Sequence, residues 1–123
     1  SQGITVHLNI FTSVEFRDMD PLVLCRVIGI LTDNAVEAAF DSPEKEIHIA
    51  MESDAVSTSI IISNTFKIKP DLTQLDKRGY STKGAQRGVG LYNVKQILSR
   101  NPSMLLKTSL ENNMFFQELI ITR

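Results

Sequence analysis

The sequence predicts an α+β fold, a two-layer α/β sandwich whose mixed, mostly antiparallel sheet carries its helices on one face. Segments of apolar period two and segments of helical period follow one another as β-α-β-β-α-β-β, which is neither strict β-α alternation nor an all-β pattern. The chain has 123 residues, enough for one core and too few for two. Usage is ordinary and globular, 42% hydrophobic and 22% charged. No stretch approaches the ~20 apolar residues of a membrane span.

Each element has its own signal. Ile4, Val6, Leu8 and Ile10 alternate with Thr5, His7 and Asn9, which reads as a half-buried strand with His7 on its polar side. Asp20-Pro21 is a helix start, an N-cap acceptor followed by a proline whose missing N–H costs nothing at the first helical position. That helix is expected to run to about Phe40, with Pro43 just beyond. Leu24, Val27, Ile28, Leu31, Ala35, Ala38 and Ala39 form its apolar stripe, Arg26 and Asp33 point away, and Asn34 lies on the margin near Ile30. Cys25 reads as a small buried hydrophobe. Strands follow at Ile47 to Glu52 and Thr58 to Asn64, the run Ile60-Ile61-Ile62 reading as buried on both faces.

From Thr65 to Arg87 no period holds, and a loop of that length in a compact domain is commonly functional. A second helix, about Val89 to Ser99, starts with Gly90 and carries Leu91, Val94, Ile97 and Leu98 on one face. Strands at Met104 to Leu110 and Met114 to Thr122 flank Glu111-Asn112-Asn113, good hairpin-turn chemistry.

Charge excludes some functions. Thirteen basic against fourteen acidic residues give a net charge of −1, so no global field gathers nucleic acid. One cysteine permits no internal disulfide, and no Cys/His cluster has zinc-ligand spacing in the sequence. The loop is different. Lys67, Lys69, Lys77, Arg78, Lys83 and Arg87 face only Asp71 and Asp76, a local excess of four positive charges. Lys83 and Arg87 are the candidates for phosphate contact; the other four read as a solvated face.

Three segments carry chemistry together: Leu31-Thr32-Asp33-Asn34-Ala35-Val36-Glu37-Ala38 on the first helix, Asn64 at a strand end, and Ser81-Thr82-Lys83-Gly84 with Arg87-Gly88-Val89-Gly90-Leu91 entering the second helix. Gly88 and Gly90 let backbone approach an anion at a helix N-terminus, whose unpaired N–H groups suit phosphate. Other nucleotide signatures fail. There is no Gly-Lys-Ser/Thr ending of a P-loop, and Asn93 stands where a Rossmann motif needs its third glycine.

In this order and at these intervals the motifs resemble the GHKL (Bergerat-fold) ATP-binding domain over nearly the whole chain. More narrowly, Asp-Asn-Ala-Val-Glu-Ala-Ala, Ile-Ser-Asn-Thr and Ser-Thr-Lys-Gly before Arg-Gly-Val-Gly-Leu look like the catalytic domain of a quorum-sensing peptide-pheromone receptor histidine kinase, of the accessory-gene-regulator and competence-receptor type. The resemblance implies one histidine-kinase-type domain over residues 1–123, with an ATP lid at about 65–87. It implies ATP and Mg²⁺ as cofactors, with Asn34 as metal ligand and Asn34 and Lys83 as catalytic residues. Asn34, Asn64, Lys83, Gly84, Arg87, Gly88, Gly90 and Leu91 would hold the nucleotide.

It also implies partners: the receptor's own upstream histidine-bearing dimerisation domain and a downstream response regulator, with no nucleic acid and a homodimer only in the full-length receptor. The location implied is the cytoplasmic side of a bacterial membrane receptor. The chain is expected to lack the acceptor helices and the sensor.

Departures from the family pattern refine this. Asn64 stands where most of the superfamily has the aspartate of Asp-X-Gly-X-Gly. Its oxygen can still accept the adenine amino proton, but Thr65-Phe66-Lys67 replaces the glycines, which implies weak nucleotide affinity. Ile30 occupies the place of the glutamate that activates water in hydrolysing members, so hydrolysis is not expected and transfer to an external histidine is. Two readings of Glu37 stay open: it binds a magnesium-held water, or it caps the helix's polar face. His7 and His48 read as ordinary strand-face histidines. Two rival functions share the fold: an anti-sigma-factor-type serine kinase, and a nucleotide-gated or degenerate interaction module.

Overall fold

A computed structural model describes residues 3–11, 14, 16, 19–74 and 89–122. The elements come in the expected order: β1 (Thr5–Ile10), α1 (Pro21–Asp41), β2 (Glu46–Ser53), β3 (Ser57–Asn64), α2 (Val89–Ser99), β4 (Met104–Glu111) and β5 (Met114–Thr122). The strands form one sheet in the order β1-β2-β3-β5-β4. Only β1 and β2 are parallel; the other neighbours are antiparallel. Among the described residues no helix is long and apolar enough to cross a membrane.

Local chemistry sets the boundaries. Asp20 Oδ1 accepts the Leu22 N–H at 2.9 Å, capping α1, and Pro21 is its first residue. At the other end the Ser42 N–H reaches the Ala39 carbonyl at 3.0 Å, and Pro43 cannot continue the helix. Between β4 and β5, Glu111 pairs with Met114, while Asn112 and Asn113 have φ of 51° and 60°. Two consecutive positive φ values make a type I′ turn, whose twist matches the flanking strands.

The core lies between the sheet and the two helices. Leu24, Val27, Leu31, Ala35 and Ala39 of α1 and Leu91 and Val94 of α2 join Ile47, Ile60, Ile62, Met104, Leu106, Leu119 and Ile121 from the sheet. Deleting most of such a side chain costs about 2–5 kcal/mol, so this cluster anchors the register of both layers.

Three expectations need correction. β1 is not half-buried: Val6, Leu8 and Ile10 are 55%, 59% and 59% exposed. The reason is its place at the sheet edge, since α1 packs mainly over β3 and β2. The Ile60-Ile61-Ile62 run is not buried on both faces; Ile60 and Ile62 face the helices, while Ile61 stays half-buried on the open face. Cys25 is exposed rather than buried, because it lies off the α1 stripe.

Candidate functional site

The α1–α2 junction brings two of the singled-out residues together. Asn34 lies one turn beyond Ile30 on α1, half-buried at the edge of the apolar stripe. Gly90, in the first turn of α2, lies directly against both. A Cβ built there would come 3.3 Å from Ile30 Cγ2, 3.4 Å from Asn34 Oδ1 and 3.7 Å from Asn34 Nδ2. A side chain there would press on Ile30 and fill the space against Asn34, so the glycine lets α2 pack closely on α1. The first turn of α2, whose N–H groups have no partner within the helix and whose dipole end is positive, is thereby set beside a neutral side-chain amide.

That pairing passes a chemical test for the groups the sequence implies. A half-buried amide oxygen is a hard donor of the kind Mg²⁺ takes alongside water and phosphate oxygens. Exposed amides at a helix N-terminus suit phosphate. The Leu91 side chain is buried in the core cluster, so only its main chain can serve an anion. Glu37, one turn beyond Asn34, is half-buried on the same helix.

The end of β3 forms the second part of the site. Asn64 is 2% exposed, on the helix-facing side of the strand with Ile60 and Ile62, and donates through Nδ2 to the Thr65 carbonyl at 2.9 Å. One pair back along the sheet, in register with Ile62, β5 and β4 contribute two further polar groups to that side: Thr108 Oγ1 donates to Gln117 Oε1 at 2.9 Å, and Gln117 is 4% exposed. The helix-facing side of the sheet is thus apolar along most of its length and turns polar towards the end from which residues 65–88 depart.

A hydroxyl pair fixes that strand end. Thr65 Oγ1 and Ser42 Oγ lie 2.6 Å apart. Ser42 Oγ donates to the Ala39 carbonyl at 2.7 Å and accepts the Lys45 N–H at 3.0 Å. Thr65 Oγ1 accepts the Glu46 N–H at 3.0 Å, and the Thr65 N–H donates to the Glu46 carbonyl at 3.1 Å. The C-terminus of α1, the start of β2 and the exit of β3 are thus tied together through two buried hydroxyls. Neither Ser42 nor Thr65 gave a sequence signal beyond its position after a helix or strand. The one available clue was their polarity beside Pro43 and Asn64.

Lys83, Gly84, Arg87 and Gly88 lie outside the described residues, as do Ser81, Thr82, Lys77 and Arg78. Lys67 and Lys69 are exposed at the start of this segment. Asp71 Oδ1 accepts both the Thr73 N–H and the Thr73 hydroxyl, at 3.0 and 2.7 Å, forming a local Asx turn. His7 and His48 sit on the open face of the sheet, opposite Ile47 and the helices.

Residues 19–122 match the family described as the GHKL domain. Among curated proteins, the chain is 38% identical over 74 residues to the sensor protein CitS of Bacillus subtilis (strain 168). That match takes in 58% of this chain and 14% of CitS, so the chain corresponds to a small part of that protein. Among solved structures, the Acinetobacter baumannii histidine kinase AdeS aligns with a TM-score of 0.75 at 16% identity, over 98% of this chain and 55% of AdeS. The catalytic domain of histidine kinase ThkA aligns with a TM-score of 0.75 at 20% identity, over 98% of this chain and 81% of that one. Full-length ShkA in complex with AMPPNP aligns with a TM-score of 0.71 at 17% identity, over 99% of this chain and 27% of ShkA. The structural likenesses speak for the fold, and the family match and CitS for descent. The chain belongs to the GHKL domain family, with the fold seen in histidine kinase catalytic domains.

Proposed function

We propose that this domain binds Mg·ATP at the α1–α2 junction and presents the γ-phosphoryl group to a histidine supplied by a neighbouring dimerisation domain. The observation that carries the reading is the approach of Gly90 to Asn34, 3.4 Å from a Cβ position to Oδ1, which sets a helix N-terminus beside a metal-competent oxygen. Asn34 Oδ1 holds the metal in this reading, and the main chain of Gly88, Gly90 and Leu91 receives phosphate oxygens. Lys83 and Arg87 neutralise charge on the phosphates, and Gly84 belongs to the same nucleotide-binding segment. Asn64, at the polar end of the sheet, selects adenine. Magnesium, when bound, supplies charge neutralisation on the phosphate oxygens.

Ile30 beside Asn34 offers no proton acceptor, which supports transfer to an external nucleophile over hydrolysis. The match to the sensor protein CitS supports the same assignment, and the fold is that of ShkA, whose structure is a complex with AMPPNP. We further assign the parent protein to the peptide-pheromone receptors, with a response regulator as the next phosphoryl acceptor and this domain on the cytoplasmic side of a bacterial membrane. The support for that finer reading is the Asp33-Asn34-Ala35-Val36-Glu37-Ala38-Ala39 motif and Asn64 without its glycines.

The test joins this domain to its upstream histidine-bearing segment, supplies γ-labelled ATP, and asks whether the label is lost in acid. Acid-labile, alkali-stable label on histidine is expected. Acid-stable label would shift the assignment to a serine kinase, and absence of any label with tight nucleotide binding would favour an interaction module.

A further inference from the structure

The open face of the sheet carries a cluster that nucleotide chemistry does not use. His7 on β1 stands in direct register with His48 on β2, and Glu46 precedes His48 by two residues, so all three project from the same face. Their rings stack, with centroids 4.3 Å apart and planes 12° from parallel. Both Nε2 atoms converge on one carboxylate oxygen, Glu46 Oε1, at 3.5 Å from His7 and 3.3 Å from His48. One potential ligand atom from each residue lies within 4.8 Å of the others.

We propose that His7, Glu46 and His48 form a transition-metal site of the zinc class. The donor separations fit it. Metal–ligand bonds of about 2.0–2.1 Å at a tetrahedral angle put neighbouring ligand atoms about 3.3–3.4 Å apart, matching the two nitrogen-to-oxygen distances. The rings must tilt out of their parallel stack so that both lone pairs meet one ion. They have room to do so, since the side chains of His7 and His48 are 44% and 40% exposed. Two imidazoles and one carboxylate leave a fourth position for water.

Ligand type sets the selectivity. Imidazole nitrogen suits zinc and its neighbours, whereas magnesium takes oxygen and keeps its waters. The site is therefore chemically orthogonal to Asn34 and lies on the other side of the sheet. Lys45, the nearest basic residue in sequence, has its ammonium directed elsewhere, 3.2 Å from the Ser42 carbonyl. The ligands come from two strands far apart in the chain, so a bound ion clamps the edge strand β1 onto β2. All six β1 residues are exposed and the strand is paired on one side only, so it has most to gain from a clamp.

The test is calorimetric titration of the untagged chain with ZnCl₂ in buffer containing millimolar Mg²⁺, for the wild type, His7→Ala, Glu46→Gln, His48→Ala and Cys25→Ser. One zinc per chain is expected, together with a rise in melting temperature on the order of 10 °C at a hundredfold excess over Kd. Losing an outer-shell partner alone costs about 10–100-fold in affinity. Each of the three ligand substitutions should therefore weaken binding at least about tenfold, and Cys25→Ser should leave it unchanged. All three changed side chains are partly solvent-facing, and circular dichroism checks that the variants stay folded. No saturable binding in the wild type, or wild-type affinity in either histidine variant, would overturn the proposal.

Discussion

Replacing Ser42 by alanine tests whether the α1–β2–β3 tie holds the strand end in place. Ser42 is fully buried, at 0% exposure. Its loss leaves the Ala39 carbonyl satisfied, because the backbone N–H of residue 42 already reaches it at 3.0 Å. The Thr65 hydroxyl can turn to the Glu46 carbonyl at 3.3 Å. The Lys45 N–H, which donated to Ser42 Oγ at 3.0 Å, has no such substitute. A stranded, partly buried amide costs about 1–3 kcal/mol, and each exchanged hydroxyl bond about 0.5–1.5 kcal/mol net. With the one exchange at Thr65 the sum is about 1.5–4.5 kcal/mol. At roughly 3–5 °C per kcal/mol for a domain of this size, the melting temperature should fall by on the order of 10 °C, read by calorimetry and checked by urea titration. Because Thr65 directly follows Asn64, AMPPNP affinity should fall as well. A loss below about 0.5 kcal/mol would refute the network's role, since it would mean that water or a rearranged turn replaces Ser42 without cost.

Three further substitutions probe the core, the turn and the helix junction. Leu119→Ala, at a side chain with 0% exposure in an interior strand, should cost about 2–5 kcal/mol, measured by urea unfolding. Asn113→Gly should stabilise by about 0.5 kcal/mol, since φ of 60° there favours glycine; Asn113→Val should do the opposite, and equal midpoints for the two variants would contradict the turn assignment. Gly90→Ala gains up to ~1 kcal/mol in helix propensity but presses Ile30 from 3.3 Å and sets a methyl group in contact with Asn34 Oδ1 at 3.4 Å. Stability should therefore stay within about 1 kcal/mol of wild type while Mg·AMPPNP affinity drops, a split readable by thermal melts alongside calorimetry.

Much of the fold was legible because each element's signal was local. Asp20-Pro21 announced α1, the Asn112-Asn113 pair announced a hairpin, and the stripe from Leu24 to Ala39 announced the face that the sheet covers. What failed was what depends on neighbours. Val6, Leu8 and Ile10 alternate like a half-buried strand, yet edge position decides their exposure, and periodicity does not encode strand order. Ile61 looked like its neighbours until the sheet proved to be covered on one side only.

Part of the candidate site was equally local. Asn34 and Gly90 were visible as motif residues, but their direct approach depends on how α2 crosses α1. The Ser42–Thr65 pair and the His7–Glu46–His48 cluster join residues distant in the chain, and a search for closely spaced ligands had no means of finding either. Lys83, Gly84, Arg87 and Gly88 rest on their sequence context.

The central claim is that Asn34 carries the metal through which nucleotide is held. Calorimetric titration of AMPPNP into the domain, with Mg²⁺ and then with a chelator in its place, for wild type and Asn34→Ala, tests it most directly. The wild type should bind at least about tenfold more tightly with Mg²⁺, a difference of about 1.4 kcal/mol or more, and Asn34→Ala should bind alike in both conditions. A magnesium dependence that survives in Asn34→Ala, or no nucleotide binding by the wild type, would contradict the account.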